Sequence, residues 1–502
     1  MAIADQNPNI LISFLLYLVF MLLIGLYFYF RTKNLSDYVL GGRGLNSWVT
    51  SLSAQASDMS GWLLLGLPGF AFTSGYEALW LAVGLAVGTY ANWKLVARRI
   101  RVYTEVAKDS ITLPDFFENR FHDRTRMLRI VSALFILFFF MIYTSSGFVA
   151  GAKLFVTVFG WDYHMSLIIG VGVIISYTFM GGFSAVSWTD FFQGMLMFFA
   201  VIAVPVIGLS VLGGWDGLNQ TMESTNANML DIWTDSEGNS LTWVAIVSSL
   251  AWGLGYCGQP HILARFMAIN NAENIRKSRL IAMIWVVIAL GAALLVGMVG
   301  MAYPADVLTD GDVETVFMGL VNTLMNPAVS GVLLAAILAA VMSTADSQLL
   351  ITSSSLTEDI FHLIYRVVKK KPAKDKLLVT VSRLSVVWVA LVAVVIAWDK
   401  DNSVLGLVSD AWAGFGATFG PLVIMSLYWR RMNVNGAIAG IVVGGITTIV
   451  WGKFLHGGIF DLYEIMPGFV LSMLAIVVGS LITGEPNKEI EEEFDTYEQQ
   501  LG

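Results

Sequence analysis

Blocks of about twenty apolar residues, the length an α-helix needs to cross a bilayer, recur along the whole chain between short polar segments. The pattern predicts an all-α polytopic membrane protein. Thirteen transmembrane helices are predicted, at approximately 9–30, 46–74, 76–97, 127–150, 163–182, 190–213, 242–264, 280–302, 328–352, 378–398, 403–428, 435–455 and 461–483.

Composition limits further the class of protein to which the chain can belong. Of 502 residues, 56% are hydrophobic and 13% are charged, whereas soluble domains average about 25% charged residues. A soluble enzyme is therefore excluded, and no nucleophile–base pair or multi-histidine cluster points to catalysis. Cys257 is the one cysteine, so no intramolecular disulfide can form. The net charge of −8 and the lack of a basic aromatic tract give no support to nucleic-acid binding, and no obligate protein partner is evident.

The distribution of lysine and arginine predicts the orientation. With the N-terminus outside, 26 of the 29 lysines and arginines, Arg265 among them, fall in cytoplasmic segments. The outside retains Lys153, Lys400 and Lys453. The polar, acidic segment 485–502 is predicted to be a solvated cytoplasmic tail.

Two predicted spans contain glycine and proline interruptions. The second span contains SAQASDMSGWLLLGLPG and the seventh contains SSLAWGLGYCGQPH. They lie five spans apart, which places them at matching positions of two inverted halves, the pattern of a secondary transporter with a binding site near the bilayer midplane. An unwound helix frees carbonyls and amides that hydrocarbon cannot satisfy but an ion or polar substrate can. The alternative is that these glycines and prolines serve only close helix packing.

The acid in the first interruption is the strongest candidate for ion chemistry. Asp58 lies among small polar residues, and a charge inside a membrane span is costly and usually marks an ion path. Hydroxyls on the ninth span, Ser343 and Thr344, are hard oxygen ligands for a small hard cation. The alternatives are that these hydroxyls are helix-packing contacts, and that Asp58 pairs with Arg43.

Three further polar residues have competing interpretations. Asp190 is the first residue of the sixth predicted span. It either belongs to the ion path or caps the helix. Asp346 and Ser347 follow the hydroxyl pair on the ninth span.

Several long motifs together resemble the sodium:solute symporter family, in particular its bacterial sodium/proline symporters. They are SAQASDMSGW, GGR at 41–43, YTSSGFVAGAKLF at 143–155, GGFSAVSWTD at 181–190, WGLGYCGQPHILARFMA at 252–268, AAVMSTADSQ at 339–348 and VLGLVSDAWAGFGATFGP at 404–421. The resemblance implies a LeuT-like inverted five-plus-five repeat with one extra helix before it and two after. The implied units are an N-terminal helix and first loop (1–45), two core repeats (46–213 and 242–428), two C-terminal helices (429–484) and the tail (485–502).

The resemblance also implies roles for individual residues. The implied sodium ligands and the acid beside them are Ala56, Asp58, Met59, Ala340, Ser343 and Thr344. The implied substrate pocket is Ser60, Gly61, Trp62, Tyr143, Trp252, Tyr256, Gln259 and Pro260. Asp190 matches the sodium exit route and Arg43 matches a coupling arginine of the first cytoplasmic loop. Asp346 and Ser347 belong either to a second sodium site or to the exit route, which leaves the sodium count open.

The implied function is sodium-coupled import of L-proline across a bacterial plasma membrane, with Na+ as the coupling ion. An aromatic box of Trp62, Tyr143, Trp252 and Tyr256 suits the apolar ring and ammonium of proline. The alternatives are a symporter of another small solute, a proton-coupled variant, a channel or a membrane sensor. The expected partners are therefore proline, sodium and the lipid bilayer.

Overall fold

The computed structural model describes residues 9–30, 35–178, 182–303 and 307–501, and the described residues form helices and turns without a β-strand. The first-half helices are α1 (Asn9–Tyr29), α2 (Leu35–Leu40), α3 (Ser47–Asp58), α4 (Leu67–Ser74), α5 (Leu79–Ala91), α6 (Ala97–Val106), α7 (Leu113–Arg120), α8 (Met127–Phe159), α9 (Tyr163–Thr178), α10 (Phe183–Leu212) and α11 (Trp215–Asn226). The second-half helices are α12 (Trp243–Ala251), α13 (Pro260–Ala268), α14 (Ile275–Gly300), α15 (Val316–Leu324), α16 (Pro327–Ser354), α17 (His362–Lys369), α18 (Asp375–Ile396), α19 (Val404–Tyr428), α20 (Val434–Phe454), α21 (Ile465–Ile482) and α22 (Lys488–Leu501).

Helix length and hydropathy confirm a multi-pass membrane protein. Within the described residues, 10 helices are long and apolar enough to cross a bilayer. Two shorter apolar helices, Tyr163–Ser176 and Trp243–Gly258, coincide with the predicted fifth and seventh spans. The number thirteen stays a prediction. Arg31 and Lys33, two of the predicted cytoplasmic cations, lie outside the described residues.

The predicted second span is interrupted directly after Asp58. Helix α3 ends there because Met59 leaves helical geometry, with φ −82° and ψ 79°. The chain turns through Ser60 and resumes as a π-helical turn, Trp62–Gly66, that leads into α4. The freed Asp58 carbonyl accepts a hydrogen bond from the Ser60 amide at 3.0 Å. This interruption lies inside the protein, where side chains replace the missing backbone partners.

The predicted seventh span is interrupted as well. Helix α12 passes into a 3₁₀ segment, Trp252–Gly258, and Gln259 is extended before Pro260 starts α13. A methyl group on Gly255 would come within 2.0 Å of the Trp412 indole nitrogen. Glycine at this position therefore lets α19 approach the backbone of the interruption closely.

Helix α16 is the central element of the bundle. Its residues from 333 to 354 are all buried, and it packs against α1, α3, α8 and α10. Small residues at these contacts bring the backbones of neighbouring helices together. Helix α16 thereby carries its hydroxyl side chains to the interruption after α3.

The C-terminal segment differs from the prediction of a solvated tail. Helix α22 packs on the α6 end of the bundle, with Phe494 and Tyr497 almost fully buried. The Tyr497 ring stacks on Tyr103 with centroids 4.1 Å apart. Arg430 pairs with Asp495 through two hydrogen bonds, at 2.8 and 2.9 Å. The segment is acidic, as expected, but its apolar positions fall on one helical face and that face is covered.

Candidate functional site

Asp58 is a fully buried acid at the end of a broken helix. Among the described residues, neither of its carboxylate oxygens forms a hydrogen bond of good geometry. The Tyr256 hydroxyl is the nearby polar group, and it too has no well-formed partner. A buried carboxylate without a cation is costly. Asp58 is therefore a candidate to balance the charge of a bound cation.

The hydroxyl pair of α16 meets the broken helix beside Asp58. Ser343 Oγ donates to the Ala56 carbonyl at 2.7 Å, and Thr344 Oγ1 donates to the same carbonyl at 3.2 Å. Ser343 Oγ also lies 3.2 Å from the Ala340 carbonyl. The structure thus brings four of the predicted sodium ligands into one cluster. Met59 is the residue at the interruption itself.

Asp190 belongs to a second buried polar cluster. Its Oδ2 accepts hydrogen bonds from Ser53 Oγ at 2.7 Å and from Arg265 Nη2 at 3.0 Å. Both members of this ion pair are fully buried. Helix α10 begins at Phe183, well before Asp190, so the interpretation of Asp190 as a helix cap is wrong.

Arg265 is the residue that the sequence interpretation misassigned. It was counted among the cytoplasmic cations, but it lies fully buried in α13 and donates to Asp190, Ser53 and the Ser347 hydroxyl. Ser347 in turn donates to the Ser343 carbonyl at 2.8 Å. Arg265 therefore connects the Asp190 cluster to the helix that carries the hydroxyl pair. The signal was available: the arginine interrupts the apolar run HILARFMA rather than following it.

Asp346 is buried next to this second cluster. Ser347 Oγ lies 3.3 Å from Asp346 Oδ1, and Asp346 itself is fully buried. The predicted pair Asp346 and Ser347 therefore lies between the hydroxyl pair and Asp190.

Two predicted substrate residues converge on the Asp58 carbonyl. Trp62 Nε1 donates to it at 3.0 Å and the Tyr143 hydroxyl at 3.2 Å. The Trp62 amide lies 3.4 Å from Ser60 Oγ. Gly61 packs against α8, where an added Cβ would come within 2.7 Å of the Ala150 Cβ. The first interruption and α8 therefore pack directly against each other.

The other predicted substrate residues gather around Trp412. The rings of Trp252 and Tyr256 lie 6.5 and 4.9 Å from the Trp412 ring. Trp412 Nε1 donates to the Trp252 carbonyl at 2.8 Å, and Gln259 Nε2 donates to the Gly255 carbonyl at 3.2 Å. The four aromatics of the predicted box are thus arranged as two pairs, with Tyr256 facing Asp58 from the second pair.

Trp412 and His261 were missed by the sequence interpretation. His261 follows Pro260, the last of the predicted pocket residues, and its ring lies 5.9 Å from that of Tyr143. Neither His261 ring nitrogen has a hydrogen-bond partner among the described residues. Because an aromatic residue in an apolar helix is usually packing, only the three-dimensional contacts identify these two.

Arg43 does not pair with Asp58. Its guanidinium donates to Asp109 at 2.9 Å, to Thr104 at 3.1 Å and to the Met267 carbonyl at 2.7 Å. Burial and the neighbouring Arg101 lower the pKa of Arg43, while the Asp109 carboxylate opposes that shift. Arg43 therefore ties the first loop to the end of α13, and the alternative that it neutralises Asp58 is wrong.

These contacts place hard oxygen donors beside a group of buried aromatic side chains. Carbonyl and hydroxyl oxygens suit an alkali cation, and the acid next to them stabilises positive charge. The aromatic rings suit a small molecule with an apolar body. The described residues contain no group of three or more histidine, cysteine, aspartate and glutamate side chains placed to hold a metal ion.

Comparison with known proteins agrees with this chemistry. The family model described as the sodium:solute symporter family matches residues 38–444. The chain is 48% identical over 480 residues to the high-affinity proline transporter PutP of Bacillus subtilis, which covers 95% of this chain and 99% of that protein. It is 48% identical over 493 residues to the sodium/proline symporter of Escherichia coli, which covers 97% of this chain and 96% of that protein.

Solved structures show the same type of fold. A Na+-coupled sialic acid symporter in a substrate-bound outward-open state is similar with a TM-score of 0.78 at 20% identity, covering 95% of this chain and 99% of that one. The nucleobase-cation-symport transporter Mhp1 in a closed conformation gives a TM-score of 0.57 at 13% identity, covering 92% and 98% of the two chains. With a family model that matches most of its length, this chain belongs to the sodium:solute symporter family.

Proposed function

We propose that the protein imports L-proline together with sodium. The observation that carries this proposal is the meeting of the Ser343 and Thr344 hydroxyls with the Ala56 carbonyl, beside the unpaired acid Asp58. The curated relatives named as proline transporters and sodium/proline symporters match nearly the whole chain. No enzymatic activity is expected of it.

Sodium has a defined part in this mechanism. In the structure, both hydroxyls donate hydrogen bonds to the Ala56 carbonyl. A sodium ion between α3 and α16 would take the carbonyl and the hydroxyl oxygens as ligands instead, with Asp58 compensating its charge. The ion would hold the broken helix against α16 and fix the freed backbone groups after Asp58. Sodium binding would thus prepare the pocket for the amino acid.

Proline would then bind between the two interruptions. Backbone amides at the interruption after Asp58, which donate to local acceptors in the structure, would turn to its carboxylate. Trp62 and Tyr143 on one side and Tyr256 on the other suit the ring and the ammonium. Because sodium favours the conformation that binds proline, proline must raise the sodium affinity by the same factor.

The finer topology is also part of the proposal. We infer thirteen spans with a LeuT-like inverted five-plus-five core, the N-terminus outside and the C-terminus in the cytoplasm of a bacterium. In support, helices occur at every predicted span, with the predicted second and seventh spans interrupted. The two core repeats would rock against each other to expose the site alternately. Asp190, Asp346 and Ser347 would lie on the route by which sodium leaves, and the number of sodium ions stays open.

Uptake by the purified protein in liposomes tests this function. Labelled proline should accumulate when either an inward sodium gradient or an inside-negative voltage is imposed separately, since each transported charge gains about 2.3 kcal/mol per 100 mV. A panel of unlabelled amino acids and carboxylates should leave proline as the strongest competitor. Equal accumulation in sodium-free medium, or conduction without saturation, would contradict the proposal.

A further inference from the structure

A cavity lies beside the two C-terminal helices and shares one residue, Trp252, with the substrate residues that the family resemblance implies. It has a volume of about 380 Å³ and opens to the surface between α12, α20 and the turn before α21. That volume falls within the range of about 300–1,000 Å³ typical of small-molecule sites. The mechanism proposed above gives this cavity no role.

Aromatic side chains line much of the cavity. Trp451 and Phe460 form one pair with ring centroids 5.0 Å apart, and Trp252 and Tyr463 form another at 5.3 Å. Trp451 is held in place because its indole nitrogen donates to the Leu462 carbonyl at 2.9 Å. These rings form an aromatic wall of the cavity.

The charge of the lining is negative. Asp461 and Glu464 line the cavity, and neither a lysine nor an arginine is among its described lining residues. Glu464 packs against Gly452, where an added Cβ would come within 3.2 Å of its carboxyl carbon. Lys453, the residue after Gly452, is paired with Asp410 at 2.7 Å. Glu464 thus has no cationic partner within ion-pair distance in the described part of the chain.

We propose that this cavity binds a small organic cation, an alkylammonium or quaternary ammonium group, through its aromatic side chains and the Glu464 carboxylate. Aromatic rings attract such cations, and the carboxylate supplies the opposite charge. A bare alkali ion would gain little from the rings. Either a free solute or the headgroup of a surrounding lipid carries this chemistry.

The cavity is connected to the interrupted helix of the second half. Trp252, the first residue of the 3₁₀ segment, forms part of its lining. The Tyr463 amide donates to Ser248 Oγ in α12 at 2.9 Å, and the Tyr463 hydroxyl donates to the Ser409 carbonyl in α19. A ligand here would therefore contact Trp252, which lies in the same interrupted segment as Tyr256.

Equilibrium binding of labelled choline to the full-length protein in lipid nanodiscs tests the proposal. Choline should bind saturably, and saturating sodium and proline should not displace it. Glu464→Gln and Trp451→Ala should each weaken choline binding at least tenfold. Glu223→Gln, at an exposed glutamate of α11, is the matched control and should leave it unchanged. Sodium-dependent proline binding by each variant checks that it has folded.

Lipid composition separates the two sources of the cation. If a headgroup is the ligand, discs containing phosphatidylethanolamine should bind choline more weakly than discs of phosphatidylglycerol alone; if a free solute is the ligand, the two should agree. The absence of saturable choline binding in phosphatidylglycerol discs, its displacement by proline, or unchanged binding in the folded Glu464→Gln variant would overturn the proposal.

Discussion

Asp58 is a buried acid with no cation beside it among the described residues, and sodium is expected to supply that charge. Asp58→Asn keeps the size of the side chain but removes the charge. We expect sodium-stimulated proline uptake to fall at least about tenfold, equivalent to ~1.4 kcal/mol of lost coupling, with normal amounts of protein in the membrane. Asp216→Asn, at an exposed aspartate of α11, should have no effect. Near-normal sodium dependence in Asp58→Asn would remove this residue from the ion site.

The hydroxyls of Ser343 and Thr344 can be tested on the same helix with a matched control. Losing one oxygen ligand should cost about 1 kcal/mol, the typical worth of a single polar contact. Ser343→Ala and Thr344→Ala should therefore raise the sodium concentration for half-maximal uptake roughly fivefold each. Thr344→Ser keeps the hydroxyl, so its sodium concentration for half-maximal uptake should stay close to that of the wild type. Ser354→Ala removes a buried hydroxyl that donates to the Leu350 carbonyl within the same helix, and it should leave the sodium requirement unchanged. An equal effect there would mean that these hydroxyls serve packing.

At the scale of elements, the Arg265–Asp190 pair connects α13 with α10. Ser53 of α3 forms hydrogen bonds with both residues of the pair. Arg265→Met would leave Asp190 buried without its cation, which typically costs about 3–5 kcal/mol. We expect a clear fall in the thermal unfolding temperature of the purified protein. Arg276→Met, at an exposed position of α14, should not change it. Because replacing both charges is far less costly than removing one, Arg265→Met with Asp190→Leu should recover part of the loss; no difference between the single and double variants would contradict the pairing.

The docking of helix α22 on the bundle can also be tested at this scale. Tyr497 stacks on Tyr103 and donates to the Leu427 carbonyl, so it joins the tail to α6 and to α19. Tyr497→Ala should weaken docking by about 3 kcal/mol, as for other large-to-small aromatic changes. Chymotrypsin added to the purified protein should then cut after Phe494, which is buried in the docked helix, far faster than in the wild type. Thr496→Ala on the exposed face is the control, and equal cleavage rates would show that the helix is not held there.

At the scale of the whole molecule, sequence could predict what hydrophobicity and local motifs determine. The apolar periodicity located the membrane helices, and the glycines and prolines located both interruptions. Asp58 and the Ser343–Thr344 pair stand out in sequence because polar groups are rare in such helices. Arg265 did not, because an arginine near the end of a predicted span resembles a cytoplasmic cation until its partners in α3, α10 and α16 are known. Trp412 and the docking of α22 depend on contacts between distant segments, and no local pattern determines these.

Reciprocal binding tests the central claim most directly. We would measure labelled sodium binding to the purified protein with and without proline, and labelled proline binding with and without sodium. The account predicts that each ligand raises the affinity of the other by one common factor, within the usual range of about 5–150-fold, and that this factor approaches one in Ser343→Ala with Thr344→Ala. Sodium and proline binding that are independent of each other, or full coupling in the double variant, would contradict it.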